Sequence, residues 1–162
     1  MTPQASVAEL FERHYTALVR LAVHLVDDPA SAEDVVQDVF AALDASRPMQ
    51  DPKRYLTTAV VNRCRSTLRR RKVARLFAGR PTREEFVEPA SEAAVRSVER
   101  ARMLAAIDAL PRRQREAVVL RYYEDLPVAE IALVLDTSPG SVSSALTRAL
   151  DALKPMLGGR DA

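Results

Sequence analysis

The sequence predicts an all-α fold: two small helical domains joined by a flexible linker, the second containing a helix-turn-helix. Three observations carry this prediction. Apolar residues recur at helical spacing along most of the chain, and no stretch shows the alternation of a half-buried strand. Only four glycines interrupt the 162 residues. Three prolines, Pro29, Pro52 and Pro139, each follow a residue suited to capping a helix, which is the arrangement expected at a helix start. With 48% hydrophobic residues the chain can bury one ordinary core or two small ones.

The elements follow from caps and periodicity. Ser6 and Glu9 have capping-box spacing ahead of Val7, Leu10, Phe11, Leu18, Leu21 and Leu25, which fall on one stripe. Asp28-Pro29 opens a second helix with Val35, Val36, Val39, Phe40 and Leu43 inward. Asp51-Pro52 opens a third, with Tyr55, Leu56, Ala59, Val60 and Leu68 inward, before it runs into Arg69, Arg70, Arg71 and Lys72. After Phe77 the stretch AGRPTREEFVEPASE, residues 78–92, holds two prolines, a glycine and mixed charge, and reads as a linker. Periodicity resumes with Val95, Val98, Ile107 and Leu110. Pro111 then opens a helix through Tyr123, Pro127 a short one through Leu135, and Pro139 the last. The expected division is 1–77, a linker over 78–92, 93–157, and a flexible tail over 158–162.

The last two helices form the most informative local pattern. Val128, Ile131, Ala132 and Leu135 make a short amphipathic helix, Asp136-Thr137 a tight turn, and Ser138-Pro139 a capped start. Turning about 100° per residue, Val142, Ala145, Leu146, Ala149 and Leu153 face a core, whereas Gly140, Ser144, Thr147, Arg148 and Asp151 face away. The hydroxyls of this Ser-rich segment thus lie mostly outside the apolar stripe. A helix-turn-helix of DNA-binding type fits, and so does an ordinary helical hairpin.

Charge separates the chain into three parts. Residues 1–51 carry nine acids and three bases, 52–83 eleven bases and no acid, and 84–162 thirteen acids and ten bases. A solvated face normally mixes signs, so a basic run of this length points to a polyanion, nucleic acid first. Other chemistry finds little support. His14 and His24 are ten apart on one helix, Cys64 stands alone, and no Cys, His and carboxylate cluster has metal spacing. No phosphate-cradling glycine loop or nucleophilic triad is visible, so the chain does not read as an enzyme and no cofactor is implied. The single cysteine, and the lack of a signal peptide or membrane-length apolar run, lead to the expectation of a cytoplasmic protein.

On these residues the chain resembles a known family. ALPRRQREAVVLRYYEDLPVAEIALVLDTSPGSVSSALTRALDAL is similar to the promoter-binding fourth region of bacterial sigma-70 family factors, and ASAEDVVQDVF to their second region. The small extracytoplasmic-function group fits best, and the resemblance covers residues 7–157. It implies a subunit that binds core RNA polymerase through the β′ clamp helices and the β flap, directs it to −10 and −35 promoter DNA, and helps open the duplex. Asp34, Gln37, Asp38 and Phe40 match polymerase-contacting positions. Tyr55, Asn62, Arg63, Arg65, Arg69 and Arg70 match the −10 reader, and Ser138, Ser141, Ser144, Thr147 and Arg148 fall on the −35 reader. Arg112, Arg113, Arg115 and Arg121 would add non-specific charge. The second-region acidic face is expected to be uncoupled.

Three positions depart from the family pattern. Tyr55 stands where tryptophan is usual, the loop DASRPMQ over 44–50 is short, and Ser143 and Ser144 replace usual bases. Whether an anti-sigma factor clamps the two domains is open from the sequence. The rival reading is a stand-alone helix-turn-helix regulator that dimerises through the first domain, with a sequestering interaction protein behind it.

Overall fold

Seven α-helices account for most of the chain in the computed structural model, which describes residues 4–26, 28–44, 46–78 and 92–156; among these no strand occurs. The expected tail, and the linker except for its end residues 78 and 92, lie outside the described residues. Those two end residues belong to helices.

The first bundle is built from α1 (Val7–Leu25), α2 (Pro29–Ala41) and α3 (Pro52–Ala78), each packed on the other two. The cap readings hold. Glu9 N–H donates to Ser6 Oγ, and Ser6 N–H donates back to Glu9 Oε2, so two otherwise orphaned amides are satisfied reciprocally. Asp28 caps α2 by accepting from Ser31 N–H at 2.8 Å, and Asp51 caps α3 by accepting from Arg54 N–H at 3.0 Å. Leu10, Leu18, Leu21 and Leu25 meet Val35, Val36, Val39 and Phe40, and Leu56, Val60, Val61 and Cys64 close the core from α3. At about 1.5 Å per residue, the 27 residues of α3 reach about 40 Å, well beyond the bundle they anchor. Its far end exposes Val73, Leu76 and Phe77.

Two expected core residues are not in the core. Phe11 is 39% exposed and lies against Tyr15 and Phe40, because it sits at the edge of the α1 stripe where the seam with α2 opens to solvent. Tyr55 is 52% exposed, since Leu56 one residue on already fills the inward position of that turn.

The second bundle comprises α4 (Glu92–Asp108), α5 (Arg112–Val118), α6 (Val128–Leu135) and α7 (Pro139–Met156). The helix expected from Pro111 to Tyr123 is not uniform. Its last turn, Val119–Tyr123, is π-helical, and the chain then folds back, with Leu126 N–H donating to Leu120 O and the Arg121 guanidinium to Leu126 O. Asp125 follows in the left-handed region at φ 55°. Between α6 and α7 the expected tight turn is made by Asp136 at φ 52°, a conformation that Asp tolerates better than most residues. Ser138 then caps α7 by accepting from Ser141 N–H. Val142, Leu146, Ala149 and Leu153 are buried against α5 and α6, as the stripe requires.

Candidate nucleic-acid interface

Three surfaces carry the residues singled out by sequence. On α2, Asp34, Gln37 and Asp38 are exposed on the side opposite Val35, Val36 and Val39. Phe40 is not part of that face. It is 6% exposed and packs edge-on to Phe11, so it supports the helix from within. Nor is the face uncoupled. Arg63 Nη2 donates to Asp38 Oδ2 at 2.7 Å, and Gln37 Nε2 reaches the Tyr15 hydroxyl at 3.4 Å. Asp34 is exposed and makes no ion pair among the described residues.

On α3, Tyr55, Asn62 and Arg69 follow one another at intervals of seven, so they share one exposed stripe along the helix. Arg70 is exposed beside it, and Arg63 lies on the same flank, facing α2. Arg65 is about 60° from Asn62 on the other flank and points elsewhere. Its Nε and Nη2 donate to the two carboxylate oxygens of Glu116 on α5, at 2.8 and 2.7 Å. These bonds hold its guanidinium pKa above the ordinary value. The arginine run is therefore not a single open stripe. Arg54, Arg63, Arg65 and Arg71 are answered by Glu130, Asp38, Glu116 and Asp28 respectively, acids that lie far away in sequence.

Asp28 illustrates how such a pair also serves the fold. Burial raises its pKa, but hydrogen bonds from the Ser31 amide and hydroxyl and from Arg71 outweigh that and hold the carboxyl below its ordinary value. One acid thereby caps α2 and anchors the basic end of α3.

On α7, Ser144, Thr147 and Arg148 are exposed, and Gly140 leaves the first turn open to close approach. The hydroxyls are not equivalent. Ser138 Oγ is spent on the cap and donates to Ser141 Oγ, and Thr147 Oγ1 donates back to Ser143 O at 3.0 Å. Of the five expected −35 residues, Ser144 and Arg148 keep side chains with no bond to another described residue. Of the four arginines expected to add charge, Arg115 is turned to Leu110 O, Arg121 to Leu126 O, and Arg112 lies 3.9 Å from Glu116. Arg113 is exposed and makes no ion pair among the described residues.

The residues that sequence reading missed are the acids of the second bundle. Glu116, Glu124 and Glu130 approach α3, and nothing in their local pattern announces it, since the Arg65–Glu116 pair spans 51 positions. His24 at the end of α1 likewise meets the Tyr123 ring edge-on at 4.4 Å. Burial lowers the His24 pKa, Asp108 opposes that, and Arg100 reinforces it. Among the described residues no group of His, Cys, Asp and Glu is placed to hold a metal ion.

Two family models match segments of the chain. Residues 10–74 match the family model for sigma-70 region 2, and residues 100–153 that for sigma-70 region 4. The chain is 33% identical over 149 residues to the RNA polymerase sigma-E factor of Streptomyces coelicolor, covering 90% of this chain and 82% of that protein. It is 30% identical over 161 residues to the RNA polymerase sigma factor CarQ of Myxococcus xanthus, covering 96% and 91%. Among solved structures it is similar to the sigma factor RpoE of Bartonella quintana, in complex with the anti-sigma factor NepR. That match has a TM-score of 0.76 at 25% identity and covers 94% of this chain and 96% of that one.

Proposed function

The chain belongs to the sigma-70 family of RNA polymerase sigma factors, in the extracytoplasmic-function group, and from that premise we propose how its surfaces divide the work of promoter recognition. Residues 1–77 form the unit that binds core polymerase and the −10 element, 93–157 the unit that binds the −35 element, 78–92 the connection, and 158–162 a tail. Asp34, Gln37 and Asp38 on α2 dock on the β′ clamp helices, and the second bundle docks on the β flap. The chain works in the cytoplasm beside the polymerase, and catalyses no reaction itself. No described helix is long and apolar enough to cross a membrane.

Strand capture belongs to α3. Tyr55 offers an exposed ring on which an unstacked base of the non-template strand can rest, Asn62 polar contact, and Arg69 and Arg70 cations to follow the backbone. Holding bases out of the stack stabilises the open duplex by binding alone. At the −35 element the N-terminal end of α7 enters the major groove. Ser138 and Ser141 place its first amides, Ser144 and Thr147 keep the approach close, and Arg148 reads a base edge. An anti-sigma factor is a further partner, by analogy with the RpoE complex.

The observation that carries this reading is the placement of two outward faces, Tyr55–Asn62–Arg69 and Ser144–Arg148, within the segments matching regions 2 and 4. A stand-alone regulator has no need of the first. The test is holoenzyme assembly. Asp34→Lys with Gln37→Ala is expected to abolish co-sedimentation with core polymerase while the circular dichroism spectrum is unchanged, because both positions lie outside the core. Unchanged co-sedimentation would remove α2 as the polymerase contact.

A further inference from the structure

The two most exposed large apolar residues among the described ones are neighbours. Phe77 is 88% exposed and Leu76 77% exposed at the end of α3, and Val73 one turn earlier is 51% exposed. A contiguous exposed apolar patch marks a contact surface more often than a stray side chain does. Helical geometry ties this patch to the DNA face. At about 100° per residue, Val73 lies within about 20° of the Asn62 direction, Leu76 about 40° to one side and Phe77 about 60° to the other. The outward stripe Tyr55–Asn62–Arg69 therefore continues into an apolar tip. Arg70 and Lys72 flank that tip on its two sides, both exposed, and residues 52–83 hold no acid.

The length of α3 decides what the tip can meet. Phe77 lies about 22 Å along the axis from Asn62, at about 1.5 Å per residue, and about six base pairs of duplex span that distance. The connection to the −35 unit leaves α3 at this end. If Asn62 and Tyr55 serve the −10 element, the tip faces the spacer duplex beside it, on the −35 side. Tracking phosphates needs only cations, and Tyr55 already offers a ring to an unstacked base. Bare Leu and Phe side chains between cations suit a different contact, an apolar wedge pushed between two base pairs from the minor groove, which partly unstacks that step and kinks the duplex. Flexible pyrimidine–purine steps yield to a wedge at least cost. An anionic lipid surface also takes apolar side chains ringed by cations, but the continuity of the tip with Asn62 and Arg69 favours DNA. We propose that Leu76 and Phe77 form a wedge in the minor groove of the spacer duplex beside the −10 element, with Arg70 and Lys72 on the flanking phosphates. The wedge selects promoters by the deformability of one base step. This role rests on α3 as the −10 reader.

Holoenzyme assembled from core polymerase and the full chain, on a promoter mapped by run-off transcription, provides the test. Each step of the spacer next to the −10 element is set in turn to TA or AA, which show the same minor-groove acceptors but differ in stiffness. Affinity is read by fluorescence anisotropy and bending by energy transfer between dyes at the DNA ends. Wild type should prefer TA at one step by on the order of tenfold and bend that duplex. Leu76→Ala with Phe77→Ala, both outside the core, should assemble with polymerase as wild type does, lose the preference and leave the DNA straighter. Phe77→Met alone, which keeps an apolar wedge, should retain most of the preference. Arg69→Ala with Arg70→Ala should weaken the TA and AA duplexes alike. Equal affinity of wild type for TA and AA at every step overturns the wedge, and so does a preference that survives the double alanine change. If the wedge fails while the arginine changes still weaken binding, α3 remains the −10 reader; if neither set of changes matters, that reading falls too. Sedimentation of the free chain with phosphatidylglycerol vesicles that depends on Leu76 and Phe77, with no step preference, overturns the wedge in favour of a lipid surface.

Discussion

Arg148 is the long side chain on the outward face of α7, and its neighbours there are small. A hydroxyl-rich recognition helix trades phosphate-binding charge for close approach, so discrimination rests on few groups. Arg148→Ala should cost about 1–3 kcal/mol of −35 binding and relax preference at one base pair, with no change in melting temperature. Ser144→Lys should strengthen binding and steepen its salt dependence, because a new cation displaces counterions from the backbone. Electrophoretic mobility shifts over a salt series on a randomised −35 site check both. At this scale the sequence was legible in part. The outward positions of α7 follow from 3.6-residue periodicity, and Ser144 and Arg148 stand where it puts them. Pairing was not legible. Asp38 and Arg65 look as free as Asp34 and Arg69 in the sequence, and only the tertiary arrangement gives them Arg63 and Glu116.

Elements were read best where local chemistry decides them. Ser6 with Glu9, Asp28, Asp51 and Ser138 each satisfy amides of their own first turn, so their caps depend on nothing distant. The π turn at Val119–Tyr123 has no such signature. It lets Leu120 remain buried while the Arg121 guanidinium reaches back to Leu126 O, a tertiary demand that overrides uniform helical winding. The apolar residues of α7 are not equally buried. Leu146 on the inward stripe is 9% exposed, whereas Leu150 is 40% exposed. Leu146→Ala should therefore destabilise the second bundle by about 2–5 kcal/mol, as a core truncation does. Leu150→Ala should cost well under that, since surface changes generally stay within about 0.5 kcal/mol. Urea unfolding followed by circular dichroism separates the two. Equal losses would mean that α7 is rotated relative to the placement described above.

For the whole molecule, the helical content of the described residues followed from periodicity and composition. The contact between the bundles did not, because it joins acids and bases from opposite ends of the chain, each unremarkable in its own helix. That contact also revises the electrostatics. Of the α3 residues expected to read DNA, Arg69 and Arg70 are exposed arginines with no ion pair among the described residues, so they, more than the run as a whole, should set the salt dependence of DNA binding. Removing both should lower the slope of log affinity against log salt by about 0.7–0.9 for each residue. The central claim, that this chain gives core polymerase its choice of promoter, is tested most directly by run-off transcription with purified core enzyme on a genomic promoter library. Transcripts should start at discrete positions only when the chain is added, share −35 and −10 sequences upstream, and vanish with the Asp34→Lys, Gln37→Ala variant. Transcription no different from core enzyme alone on every template would contradict it.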